Sequence, residues 1–178
     1  RLEISKELAA TLKAHKNGVM LRMPAWIPGS YMIRDFSKHV SDVAISVKNI
    51  SFKKVNSHTW QIEPFTHSIS VTYRVYAFDT SVRTAYLDHL RGFFNPTSLC
   101  MEVVGAQVPY QVKLSSLGLP KEWVAETTLA PRDVNSKGFG VYEAAHYDEL
   151  IDHPVALGVF QLVQWKACGI PHEMVIQG

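Results

Sequence analysis

Ile69-Ser70-Val71-Thr72-Tyr73-Arg74-Val75-Tyr76 is the stretch that decides the fold class. Ile69, Val71, Tyr73 and Val75 alternate with Ser70, Thr72, Arg74 and Tyr76, which gives one apolar and one mostly polar side. A period of two among β-branched and aromatic residues describes a strand half-buried against a core. The same period recurs upstream: Val19, Leu21, Met23 and Ala25 oppose Met20 and Arg22; Val43, Ile45 and Val47 oppose Ala44, Ser46 and Lys48. Trp60 and Ile62 alternate with Thr59, Gln61 and Glu63, and Pro64-Phe65-Thr66 is short enough to close a hairpin onto the Val71 strand. Downstream, the pattern returns at Leu99, Met101 and Val103, at Val108, Tyr110, Val112 and Leu114, and at Trp123, Ala125 and Thr127. Strands with one wet face belong to antiparallel sheets packed on one side. The expectation is an all-β fold: antiparallel, sandwich-like layered sheets with one or two short helical turns.

The remaining segments read less uniformly. Residues 1–16 fit a strand at Leu2 and Ile4 and equally a helix spaced by Ile4, Leu8 and Leu12. From Asp79 to Pro96 the alternation breaks, which implies a long loop of the kind that carries function or an interface. Ser115 to Pro120 reads as a turn, Pro131 to Gly140 as a polar linker, and Ala144 to Ile151 as helical turns stopped by Pro154. Ala156 to Lys166 reads as a strand that turns at Cys168-Gly169 into Pro171 to Ile176. With no polar tail after it, the last strand looks like a cut between domains. Residues 1–178 are therefore expected to be a single N-terminal β-domain excised from a larger protein.

Composition narrows the function. In 178 residues, 47% are hydrophobic and 19% charged, as in a globular chain with a sizeable core. A net charge of +2 from scattered Lys and Arg gives no nucleic-acid footprint. No apolar run approaches the roughly 20 residues of a membrane span. Cys100 and Cys168 have flanks suited to buried, free thiols, which favours a reducing compartment and places the cytoplasm ahead of the periplasm.

One stretch resists the period of two: Met23-Pro-Ala-Trp-Ile-Pro-Gly-Ser-Tyr-Met-Ile-Arg-Asp-Phe-Ser-Lys-His-Val40. Pro28-Gly29 supplies the negative-then-positive φ pair of a type II turn, and Ser30 is a suitable helix cap. The expected course is a strand leaving its sheet at Trp26, a turn, and a short helical turn carrying Tyr31, Arg34 and Phe36. The plainest role for it is a rigid corner, with Trp26, Tyr31 and Phe36 in the core and Arg34 paired to a carboxylate.

Trp26-x-Pro28-Gly29-Ser30-Tyr31-x-Ile33-Arg34-Asp35-Phe36 resembles the signature near the start of the glycyl aminopeptidase family of zinc metallopeptidases. Tyr76-Ala77-Phe78-Asp79-x-Ser81-Val82-Arg83-Thr84-Ala85-Tyr86-Leu87-Asp88 and Tyr147-Asp148-Glu149-Leu150-Ile151-Asp152-x-Pro154-Val155 fit the same pattern. The resemblance implies an N-terminal β-domain followed by a thermolysin-like catalytic domain and usually a PDZ domain. It covers most of the chain but only that first domain. The zinc-binding His-Glu-x-x-His helix is missing, since His172-Glu173-Met174-Val175-Ile176 has no second His and reads as a strand.

No catalytic set can be assembled from the residues themselves. The eight histidines include no i, i+4 pair, and neither Cys sits in a Cys-x-x-Cys pair. Glu143, His146, Asp148, Glu149, Asp152 and His153 are the densest titratable cluster, and a solvated helix–loop face accounts for them. There is no Gly-x-Ser-x-Gly elbow, and Gly138-Phe139-Gly140 lacks the third glycine of a nucleotide loop. The resemblance implies instead that the domain lends a polar side chain to a peptide's free α-amine. Asp88 would pair with the cation, Asn95 could hydrogen-bond it, and Tyr86 could wall the pocket.

Three functions follow. The first is a non-catalytic N-terminal β-domain that needs no cofactor itself, braces the catalytic domain of the same polypeptide, and helps select peptide N-termini. Zinc would be held by that missing domain. The second is a free-standing sandwich module whose exposed aromatics grip a glycan or peptide. The third, a complete small hydrolase, lacks residues to support it.

Overall fold

The alternating strand around Val71 is hydrogen-bonded along both edges, at the centre of a sheet. The computed structural model describes residues 1–177. The first part of the chain contains β1 (Leu2–Ile4), α1 (Lys6–Thr11), α2 (Ala14–Asn17), β2 (Val19–Arg22), β3 (Val40–Ile45), β4 (Phe52–Lys54), β5 (Thr59–Ile62) and β6 (Ile69–Val75). The second contains β7 (Ala85–Leu87), β8 (Arg91–Phe94), α3 (Pro96–Leu99), β9 (Glu102–Val103), β10 (Tyr110–Leu114), β11 (Val124–Thr127), β12 (Ala130–Val134), β13 (Gly140–Ala144), α4 (Tyr147–Ile151), β14 (Val155–Gly158), β15 (Gln161–Ala167) and β16 (Ile170–Ile176). Among the described residues the sheets run β1-β6-β3, β4-β5-β2-β9, β10-β13-β12, β11-β14-β8-β7 and β15-β16. Every strand pairing is antiparallel, as the one-sided alternation requires. The fold is all-β and layered.

The ambiguous N-terminus uses both of its periods in turn. Leu2–Ile4 pairs with Ile69–Val71, and then Ser5 caps α1, its Oγ accepting from the Leu8 N–H at 3.2 Å. Ile4, Ile69 and Val71 from one sheet and Val19, Leu21, Trp60 and Ile62 from another contribute to a single buried cluster. A second cluster forms around Leu129, Tyr142, Tyr147 and Leu150.

Several expectations need correction. Pro64–Thr66 does not close a hairpin: β5 pairs with β2 and β4, whereas β6 pairs with β1 and β3. Phe65 is buried and its N–H bonds the Ala14 carbonyl, while Pro64 and Thr66 stay exposed, so the link crosses between sheets at the surface with Phe65 pinned into the core. The Asp79–Pro96 stretch is a hairpin, β7–β8, leading into α3. Its short strands bury Ala85 and Gly92 and leave Leu87 exposed, too brief a pattern to show a period. Pro131–Gly140 is not a linker: β12 is an exposed edge strand, and a five-residue loop joins it to β13. In that loop Gly138 has φ +76, and a Cβ there would lie 1.9 Å from the Ala125 carbonyl oxygen. Ala156–Lys166 is split at Val159–Phe160 into β14 and β15. Cys100 and Cys168 are free, but Cys168 is exposed at the β15–β16 turn rather than buried.

Segment 99–103 connects the two clusters. Met101 and Val103 belong to the first, and Cys100 packs on the second. Only Glu102–Val103 is strand, because α3 occupies Pro96–Leu99. Tyrosine hydroxyls satisfy the rest: Tyr73 donates to the Leu99 carbonyl at 2.6 Å and accepts from the Met101 N–H at 3.3 Å. Tyr147 donates to the Cys100 carbonyl at 2.6 Å, and Tyr110 accepts from the Val103 N–H at 3.4 Å. Beside them Thr97 Oγ1 is buried with no partner among the described residues.

Burial raises the Tyr73, Tyr110 and Tyr147 phenols and pushes the Cys100 thiol up to about 11. Groups held protonated by the fold contribute stability that is fully present below their unfolded values and is lost as pH rises through the folded ones. Thermal melts should therefore show falling stability between about pH 9 and about pH 11. Tyr147→Phe, which strips the Cys100 carbonyl of its donor, should cost about 1–3 kcal/mol in urea unfolding at neutral pH.

Candidate functional site

Ala25 to Arg34 forms a loop closed on itself by the Arg34 N–H bonding the Ala25 carbonyl at 2.7 Å. Ile27-Pro28-Gly29-Ser30 makes the turn, with the Ser30 N–H 3.1 Å from the Ile27 carbonyl and Gly29 at φ +76. Ser30 is buried, and its Oγ accepts from the Met32 N–H at 3.3 Å. The Trp26 indole N–H donates to the Ser30 carbonyl. Ile27 and Phe36 anchor the loop in the core.

The outward side is apolar. Tyr31 is wholly exposed, Ile33 74%, Met32 62% and Trp26 49%. This corrects the plain-corner reading: of the three aromatics only Phe36 enters the core. Arg34 pairs with no carboxylate among the described residues, and its Nε lies 3.5 Å from Ser30 Oγ. The strand ends at Arg22, before Trp26, and the helical turn is a 3₁₀ turn at Phe36–His39, entered through Asp35 with φ +47. The Arg34 N–H, which a helix capped at Ser30 would give to the Ser30 carbonyl, bonds Ala25 instead, and the Ser30 carbonyl accepts from the Trp26 indole.

The β7–β8 hairpin carries the other candidates. Asp88 Oδ1 accepts from the Leu90 and Arg91 N–H groups, each at 2.8 Å, and Oδ2 accepts from the Tyr86 hydroxyl at 2.9 Å. The backbone donors from Arg91 and Leu90 hold the Asp88 carboxyl below the usual carboxylate range, and the Tyr86 phenol is raised by its bond to Asp88. Asn95 is buried, its Nδ2 donating to the Val82 carbonyl at 2.6 Å. Tyr86 and Asp88 thus meet, while Asn95 ties the preceding loop.

Sequence reasoning missed an aromatic row that runs from His39 past the end of β6 onto this hairpin. His39 stacks on Tyr76, Tyr76 lies 6.5 Å from Phe78, Phe78 stacks on Tyr86 at 5.3 Å, and the Arg91 guanidinium lies 5.1 Å from the Tyr86 ring. Tyr76 and Phe78 are more than half exposed. Their sequence signal is the continuation of the β6 alternation beyond Val75 with aromatics on the wet side.

Elsewhere, a cleft of about 410 Å³ between the clusters is lined by Tyr73, Leu99, Cys100, Met101, Tyr110 and Leu150 among others. Burial pushes the Cys100 thiol up to about 11, the opposite of the depressed value that activates a nucleophilic cysteine. In the acidic–histidine cluster, Glu143 pairs with Arg132 at 3.3 Å, His146 Nδ1 caps α4 by accepting from the Glu149 N–H, and His153 meets Thr128 Oγ1 at 2.6 Å. Among the described residues no group of three or more His, Cys, Asp or Glu side chains is placed to hold a metal ion.

Residues 5–159 match the family model described as the peptidase M61 N-terminal domain. This chain belongs to that family. The M61 domain is also similar to a crystal structure described as an aminopeptidase N family protein from Idiomarina loihiensis, with 38% identity and a TM-score of 0.85 over 91% of this chain. The match spans 28% of that protein's chain. No curated protein matches the M61 domain in sequence. Within the matched stretch lie the corner loop, the β7–β8 hairpin and the aromatic row; β15 and β16 lie beyond it.

The Asp88 bonds give a pH test. A carboxyl lowered on folding stabilises its turn at neutral pH and loses that contribution only as pH falls below the ordinary carboxylate range, through its own depressed value. The protection of the Leu90 and Arg91 amides, relative to free peptide at the same pH, should hold at neutral pH and fall only on acidification below the ordinary carboxylate range, whereas Asp88→Ala should lower it at every pH.

Proposed function

We propose that this chain is the non-catalytic N-terminal β-domain of a zinc-dependent aminopeptidase of the glycyl type, with residues 1–178 acting as one supporting unit. The single observation that supports it is the corner loop: an M61 N-terminal domain that holds Trp26, Tyr31, Met32 and Ile33 outward on a hydrogen-bonded frame. A patch of this kind on a domain that spans a fraction of its solved relative suits contact with the rest of a polypeptide. In this reading the loop braces the catalytic domain, which holds the zinc and hydrolyses the first peptide bond. A PDZ domain beyond it belongs to the same expectation.

Substrate selection falls to the β7–β8 hairpin. Asp88 is held ionised, and the Tyr86 hydroxyl fixes its orientation, so its remaining acceptor capacity suits a peptide's free α-ammonium. Asn95 positions the loop beside it through Val82. A second reading, a free-standing binding module for a peptide or glycan, draws on the exposed row Tyr76, Phe78 and Tyr86. Continuation of the natural reading frame into a His-Glu-x-x-His segment separates the two.

In the full-length polypeptide, Asp88→Asn should raise KM for a glycyl anilide about tenfold, the size of one charge-assisted hydrogen bond, with a smaller change in kcat. Tyr31→Ser with Ile33→Ser should lower turnover while leaving the melting temperature of residues 1–178 unchanged. Full activity in both variants, or zinc-dependent turnover by residues 1–178 alone, sinks the proposal.

A further inference from the structure

The hairpin β15–β16 stands apart from the other sheets. Its two strands pair only with each other among the described residues, and every residue of both is exposed. The register places Val163 opposite Met174, Trp165 opposite His172, Ala167 opposite Ile170, and Gln161 opposite Ile176. Directly opposed residues share a face, so Val163, Trp165, Ile170, Met174 and Ile176 form one apolar side. Each of the five is at least 40% exposed, and the Trp165 ring stacks on His172 at 5.4 Å.

The other face is mixed: Leu162 lies opposite Val175, Gln164 is bonded to Glu173, and Lys166 lies opposite Pro171, all of them exposed. Burial, and then the nearby Glu173 carboxylate, raise Glu126 on β11. A two-stranded hairpin has little stability of its own, so an exposed face of five large apolar side chains calls for a cover.

We propose that β15–β16 is the first element of the next domain's sheet, and that the polypeptide following residue 178 covers its apolar face and pairs with its free edge. This rests on the reading of the chain as part of a longer peptidase, and it narrows the supporting domain to the residues before β15. Two observations favour that occupant over a second copy of the chain. The M61 N-terminal match stops at residue 159, at the Val159–Phe160 break immediately before β15. The solved relative is a longer chain, of which this one spans 28%. The hairpin then makes the junction between domains a shared sheet, fixing their relative orientation where a flexible linker would leave it free.

Hydrogen exchange on the full-length polypeptide and on residues 1–178 tests this. Amides of residues 161–176 should exchange at least about 100-fold more slowly in the longer protein. Trp165→Ser with Met174→Ser should leave the melting temperature of residues 1–178 unchanged, because both side chains are already exposed. The same pair should expose the Val159–Phe160 junction to protease in the longer protein. Equal exchange in the two proteins overturns the proposal. So does a dimer of residues 1–178 that the Trp165→Ser variant dissociates, if the hairpin stays unprotected in the longer protein. An inactive full-length protein with a protected hairpin would count against the peptidase reading alone, and an active one with an unprotected hairpin against this inference alone.

Discussion

The fold depends on how the peptide groups of Leu99 to Val103 are satisfied out of water. A strand would satisfy them by pairing, but α3 occupies the residues before Cys100, and only Glu102 and Val103 reach a neighbouring strand. Tyr73, Tyr110 and Tyr147 supply what the ladder does not. An unpaired buried peptide group costs about as much as a hydrogen bond is worth in full, so these contacts are obligatory rather than ornamental. They also couple the two clusters, since Met101 and Val103 lie in one and Cys100 lies against the other. Adjacent positions of one segment thereby tie the two cores to each other.

Satisfied backbone explains the corner loop as well. The Arg34 N–H and the Trp26 indole bond the loop's own carbonyls and Ser30 Oγ accepts from the Met32 N–H, so the loop keeps its shape without help from Tyr31, Met32 and Ile33. Such a surface loses little conformational freedom when something covers it, which is the condition for turning apolar area into binding energy. The β7–β8 turn follows the same logic in a polar key. Asp88 rigidifies its own hairpin first, and any further bond it makes comes from a carboxylate already oriented.

How much of this was legible follows from which faces are wet. The strands around Leu21, Trp60 and Val71 announce themselves because one side of each meets solvent or a second layer. β7 and β8 do not, because they are short and mixed in burial on both faces. β12 was hidden by the opposite condition: an almost wholly exposed edge with Pro131 in it has no apolar side to count. Sheet membership was also out of reach at Pro64–Thr66, where loop length alone suggests a hairpin and only the burial of Phe65 reveals a crossing. At the candidate site, Pro28-Gly29 predicted its turn from φ alone. The directions of Trp26 and Tyr31 could not be predicted, since an aromatic residue fits a core and an interface equally well.

The turn of the last hairpin has a practical corollary. Cys168 and Gly169 both take left-handed backbone, at φ +51 and φ +79, and the Cys168 side chain is exposed at the tip. The other thiol, on Cys100, packs against the second cluster, and burial pushes it up to about 11, which slows its reaction. A maleimide dye or nitroxide would therefore attach first at the hairpin tip. The molecule carries its own address for a ruler between that tip and the sheets behind it.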